Sequence, residues 1–274
     1  MKKGAWLAGA VLCAALGAAR FWDLSHWFDP ATGFVTAGTV WMRLFALGAV
    51  VALILLFSLT FSGGRTPLPR GGGVLAPYAF FAGAVMAGYG LYALAAYLIG
   101  GAYLQAVLGL WCALCGVWLI TLGVWCVESE RKTPFFSVMA GAGCTGYFYL
   151  LLILRFVQRP SSLHRLSPTG EILSALAMML LSVVLLRGMY AEKEPPAGRR
   201  SFAVGMLAFL FCFCLTAPEV AYALLIQKSG SISILEKLCE CVVGLLGLAL
   251  SYSAAAQKAP SRRDGRRVYR RTEG

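Results

Sequence analysis

Of the chain's 274 residues 59% are hydrophobic and only 13% charged, with 24 Lys and Arg against 12 Asp and Glu for a net charge of +12. That balance excludes an ordinary soluble domain. No long polar stretch remains for an appended soluble enzyme, so the chain reads as one all-α polytopic bundle over residues 1–257, followed by a basic tail at 258–274.

A hydrocarbon core about 30 Å thick takes roughly 20 apolar residues per helix. In chain order the segments that qualify are 4–19, 37–61, 76–98, 103–127, 137–157, 170–187, 202–226 and 232–256. The first and sixth are short, and the eighth is interrupted by charges near its start. Basic residues set the orientation. With the N-terminus inside, the inner side carries Lys2, Lys3, Arg65, Arg70, Arg131, Lys132, Arg187, Lys193, Arg199, Arg200 and the tail, 17 of the 24 Lys and Arg. The outer side carries Arg20, Arg43, Arg155, Arg159, Arg165, Lys228 and Lys237. Eight spans then leave both termini cytoplasmic.

The first span has a rival. Two lysines, a short apolar core and Gly17-Ala18-Ala19 also fit a cleaved signal peptide. Cleavage would leave seven spans and keep every other loop on its side, so charge does not separate the two. The uncleaved anchor is the preferred expectation.

The loops after spans one and five are alike. RFWDLSHWFDPATG runs from Arg20 to Gly33 and RFVQRPSSLHRLSPTG from Arg155 to Gly170. Each opens on Arg-Phe and closes on a proline with Thr-Gly at or after it. Asp29-Pro30 and Ser167-Pro168 fit an N-cap followed by proline at the first helical position. Tyr92-Ala93-Leu94 in span three echoes Tyr222-Ala223-Leu224 in span seven. Together these suggest two parallel four-helix repeats, 1–136 and 137–257, a construction known among transporters. The alternative is coincidence among interfacial aromatic and Arg residues.

Ionisable groups within a membrane mark candidate sites, because burying them unpaired is costly. Arg43 lies about two turns into span two, and Glu219, after Pro218, about two turns before the end of span seven. Arg155 ends span five, Glu171 begins span six, and Glu236, Lys237 and Glu240 begin span eight. These place a polar cavity at the outer end, with Arg43 and Glu219 at its core and Arg20, Asp23, His26, Asp29 and Arg155 at its mouth. The structural alternative is that Arg43 and Glu219 pair while Arg155 and Lys237 reach the headgroups. Pro218 removes a helix hydrogen bond beside Glu219, a feature that suits a cavity or hinge.

Other motifs carry less. Asp23-x-x-His26-x-x-Asp29 has the spacing of neighbouring helix positions, but its aromatic neighbours and the capping role of Asp29 point away from a metal. Cys112-x-x-Cys115 lies on span four without partner thiols in any outer loop. Cys212/Cys214 and Cys239/Cys241 face opposite sides of a helix, so buried packing explains the nine cysteines better than redox chemistry. No HExxH, phosphate-binding glycine loop or His-assisted serine can be assembled, and no cofactor is implied. The stripes Ala5/Gly9/Cys13/Gly17, Gly141/Thr145 and Ala142/Gly146 serve close helix packing or a homodimer face. Arginine pairs at 262/263, 266/267 and 270/271 give the tail a stripe suited to anionic lipid headgroups; no aromatic platform supports nucleic-acid binding.

Arg20-Phe21 and Asp29-Pro30-Ala31-Thr32-Gly33-Phe34, with the overall architecture, resemble uncharacterised multi-pass membrane proteins of Gram-positive gut bacteria. The resemblance implies a plasma-membrane location and transfers no activity. The leading functional expectation is recognition or transport of a small polar solute. A membrane enzyme on lipid or lipid-linked substrate, through Asp23, His26 or Asp29, and a non-catalytic assembly or regulatory partner are the alternatives.

Overall fold

A computed structural model describes residues 2–28, 36–61, 68, 73–128, 138–158, 166–191, 196–227 and 231–256. They form α1 (Lys2–His26), α2 (Val40–Ser58), α3 (Leu75–Ile99), α4 (Tyr103–Val127), α5 (Val138–Gln158), α6 (Leu166–Tyr190), α7 (Gly198–Ala208), α8 (Thr216–Tyr222) and α9 (Ser231–Ala256). Two π-helical segments, Phe209–Cys214 and Ala223–Gln227, follow α7 and α8. The described residues contain no strand. With α7 and α8 counted as one span, eight helical elements are long and apolar enough to cross a membrane. The chain is a multi-pass, all-α membrane bundle.

The last two spans are its centre. The most apolar windows of Ser233–Ala256 and Gly198–Leu225 are 78% and 67% buried within the bundle, against 6% for α2. Glycines decide the closest approaches, since helices in lipid associate by packing rather than by hydrophobic exclusion. A Cβ on Gly90 of α3 would sit 2.4 Å from the Ala113 nitrogen of α4, and one on Gly116 of α4 equally close to the Ala87 nitrogen. Gly83 and Gly109 complete this α3–α4 seam. Gly205 of α7 and Gly247 of α9 face each other in the same way, a Cβ on either meeting the other's carbonyl within 2.7 Å.

The Ala5/Gly9/Cys13/Gly17 stripe is used inside the chain. Gly9 faces Met206, and a Cβ on Gly17 would lie 2.7 Å from the Cys214 carbonyl. Trp6 adds a hydrogen bond from Nε1 to Ser251 Oγ of α9, 2.9 Å. Gly141 packs on Leu186, while Ala142 on the other stripe is exposed.

Several boundaries differ from those expected. The first helix does not stop at Ala19 but runs to His26, so Arg20, Asp23 and His26 are helical rather than in a loop. Hydropathy counts these charges as an exit; paired and buried, Arg20 and Asp23 are carried within the helix. The helix α2 begins at Val40, with Thr39 Oγ1 accepting from the Met42 amide as its N-cap. The capping role therefore does not fall to Asp29, which with Pro30 lies outside the described residues. The helix α6 starts at Leu166, leaving Pro168 in the first turn, where its missing N–H costs little. The two Tyr-Ala-Leu triplets sit differently, Tyr92 exposed and Tyr222 buried.

Span seven is where the helix geometry departs furthest from regular. The Leu215 amide donates to the Leu210 carbonyl at 3.0 Å, five residues back, and Thr216 Oγ1 donates to the Phe211 carbonyl at 3.2 Å. Widened turns of this kind re-satisfy backbone groups that a nearby proline disturbs. Here the proline is Pro218, one residue before Glu219.

Candidate functional site

The ends of α1, α5 and α8 and the starts of α2, α6 and α9 meet at one end of the bundle. The charges collected there form a continuous network. At its margin Asp23 accepts from Arg43 Nε at 3.0 Å through both oxygens, from Arg43 Nη2, and from Arg20 Nη1 at 3.1 Å. Arg43 also donates to the Thr39 carbonyl at 3.3 Å and the Ala37 carbonyl at 2.9 Å. Arg20 turns its other terminal nitrogen to Glu219 Oε1 at 3.1 Å, and Lys237 Nζ takes Glu219 Oε2 at 2.7 Å. Lys237 further faces Glu171 Oε1 at 3.8 Å.

The Glu171 residue joins this half to the second. Its backbone carbonyl accepts from Arg155 Nη1 at 3.0 Å. Arg155 then meets Glu236 at 2.8 Å and Glu240. Ser174 Oγ accepts from Arg155 Nη1 at 3.1 Å and donates to Glu240 Oε2 at 2.8 Å. Arg20, Asp23, Arg155 and Glu240 are all buried. Removing either partner of such a pair leaves an uncompensated charge, which is why the members depend on each other.

Two cavities flank the network. One of about 380 Å³ is walled mainly by apolar side chains such as Leu16, Met42, Leu47 and Leu215, with Arg20, Asp23, Arg43 and Glu219 in its lining. The other, about 220 Å³, lies among α3, α4, α5, α6 and α9. Its lining holds Arg155, Glu171, Glu236, Lys237 and Glu240 together with Tyr89, Tyr97, Tyr147 and Gln105. Glu219 lines the first cavity and Lys237 the second, so their ion pair connects the two linings.

The candidate residues are thus divided. Arg20, Asp23, Arg43 and Glu219 share the larger cavity; Arg155 belongs to the smaller. Asp23 is a buried member of the network, not a group at an open mouth. Arg43 pairs with Asp23 rather than Glu219, and Glu219 with Arg20 and Lys237. His26 is exposed, stacked on Trp22 at 4.1 Å with Nδ1 3.1 Å from the Trp22 carbonyl, and lines neither cavity. Asp29 is outside the described residues. Among the described residues no three His, Cys, Asp or Glu side chains are grouped to hold a metal ion.

Sequence reasoning does not reach Ser174, Tyr89, Tyr147 or Gln105. They are ordinary residues of apolar spans, and nothing in their spacing signals a shared lining. The nine cysteines are all buried and unbridged. Cys112, Cys212 and Cys239 donate to the Met86, Ser174 and Val85 carbonyls at 3.7, 3.5 and 3.8 Å. Cys115 and Cys144 each face the other's carbonyl at 4.0 and 3.9 Å. No protein-family model, curated protein or solved structure matches this chain.

Proposed function

We propose that the protein recognises a small polar solute at the charged end of its bundle and carries it across the plasma membrane, with that end outward and both termini cytoplasmic. The orientation rests on the 17 basic residues assigned to the opposite side. The observation that carries the reading is the smaller cavity: hydroxyl, amide and charged side chains converge on an enclosed volume inside an otherwise apolar bundle. Intramembrane ionisable groups facing a bundle interior are the usual markers of substrate pathways. Irregular helix beside a charged residue is also a transporter device, and Pro218 and the π-helical turns supply it next to Glu219.

Uptake or solute binding in reconstituted vesicles tests the role of Glu219. Glu219→Gln is expected to abolish uptake, and the charge-balanced double variant E219Q/K237M to remain inactive although it recovers the fold. Full uptake in either variant reduces Glu219 to a structural partner and overturns its functional role.

The larger cavity favours a second reading, a lipid or lipid-linked ligand. Its apolar walls border α2, the least buried helix, and charged groups lie at one end. Lipid turnover lost on Asp23→Asn but retained on His26→Ala would support it.

A further inference from the structure

The donor and acceptor balance of the smaller cavity narrows what it can hold. Its cations are committed. Arg155 gives Nη1 to the Glu171 carbonyl and Ser174 and Nη2 to Glu236 and Glu240, four hydrogen bonds of the five that a guanidinium can make. Lys237 is engaged by Glu219 and Glu171. An incoming anion would have to break these pairs to find a donor.

The acceptors are in surplus. Counted in their ordinary ionised forms, Glu171, Glu236 and Glu240 stand against Arg155 and Lys237, three carboxylates to two cations. Glu236 meets Arg155 through Oε1 and is the most exposed acid of the cluster, its side chain 42% accessible. Three tyrosines share the lining. Tyr89 lies within electrostatic reach of Glu236 and Tyr97. Tyr147 is 8% exposed, and the Cys112 thiol is the group its hydroxyl meets. Carboxylate beside aromatic faces is the chemistry that recognises amines and quaternary ammonium groups. The volume, about 220 Å³, is below the roughly 300–1,000 Å³ of pockets for drug-sized ligands.

We infer that this cavity binds a small organic monocation, held by the excess carboxylate at Glu236 and the faces of Tyr89, Tyr97 and Tyr147. The inference rests on the solute reading above and adds the chemical class.

The test is a thermal-unfolding series on full-length protein in detergent. Tetramethylammonium and ethanolamine represent the cations, xylitol a neutral polar solute and succinate an anion. A ligand of the native state raises the melting temperature by mass action. The cations alone are expected to do so. Glu236→Gln should weaken their binding about tenfold or more and Tyr89→Leu roughly fivefold. Both variants keep the Arg155–Glu240 pair, and co-elution with the wild type checks that they fold. A shift from xylitol or succinate with the cations inert overturns the cationic class and leaves the solute reading standing. Cation shifts that persist unchanged in both variants place the binding elsewhere and overturn the site. Failure of every solute overturns both. If a variant does not fold, the wild-type series still decides the class.

Discussion

Neutralising Glu219 provides the sharpest test of the charged network. Its carboxylate holds Arg20 on one oxygen and Lys237 on the other, and the three side chains are 16%, 6% and 23% accessible. Glu219→Gln preserves shape but leaves two cations facing a neutral amide. Breaking a buried pair by removing one partner costs about 3–5 kcal/mol. Arg20 still has Asp23, which places the expected loss near the low end, ~3 kcal/mol. At roughly 2–4 °C per kcal/mol for a chain of this size, that is a fall of about 6–12 °C in melting temperature. Adding Lys237→Met removes the orphaned cation while keeping its aliphatic stem, so the double variant should regain about 2 kcal/mol of the loss. Reversible unfolding of the purified protein by SDS titration, run on wild type, both single variants and the double, measures this coupling. A Glu219→Gln variant as stable as wild type, or a double variant that simply adds the two losses, would refute the claim that these charges act as a set.

Further outcomes follow from packing and topology. Gly90→Ala forces a methyl to within 2.4 Å of the Ala113 nitrogen and should cost about 1–3 kcal/mol by overpacking, whereas Gly88→Ala on the same helix meets nothing within 4 Å and should be neutral or stabilising. Thermal unfolding of the pair compares the two directly, and equal effects would contradict the α3–α4 seam. Removing the Trp6–Ser251 hydrogen bond by Ser251→Ala should cost about 1 kcal/mol. Combining it with Trp6→Phe should add less than the sum of the separate losses. All nine cysteines should resist maleimide in the native micelle and react after unfolding, because each is buried; mass spectrometry counts the adducts. A green fluorescent protein fused after Gly274 should fluoresce and an alkaline phosphatase fused there should be inactive. The opposite pair of results would invert the proposed orientation.

The eight spans are legible in the sequence because uncharged apolar runs of bilayer length are rare in water-soluble folds, and the candidate charges are legible because such runs seldom contain any. Hydropathy does not show pairing. Arg20 and Asp23 look like the exit from a first span ending at Ala19, yet three-residue spacing lets them bond each other while the helix continues to His26. The partner of Arg43 is hidden for the same reason: with Asp23 placed in a loop, Glu219 is the acid left in a span. Ser174, at the junction of Arg155 and Glu240, is one serine among several on apolar helices, and only the fold brings it there. The Gly9–Gly17 spacing does announce close packing. The Gly83/Gly90 and Gly109/Gly116 seam uses a seven-residue spacing, which is hard to tell from chance in a chain with 31 glycines.

The widened turn at Phe209–Cys214 makes the register of span seven a coordinate of the site. In a regular α-helix each residue turns about 100°, and a π-type turn accommodates what amounts to one extra residue. Deleting a single residue there would let the helix close into regular geometry while rotating everything beyond it by about that angle. Glu219 would leave the line between Arg20 and Lys237 without any change in its identity, its depth moving by only ~1.5 Å. Span seven is therefore expected to tolerate substitutions along Phe209–Cys214 far better than any change in its length.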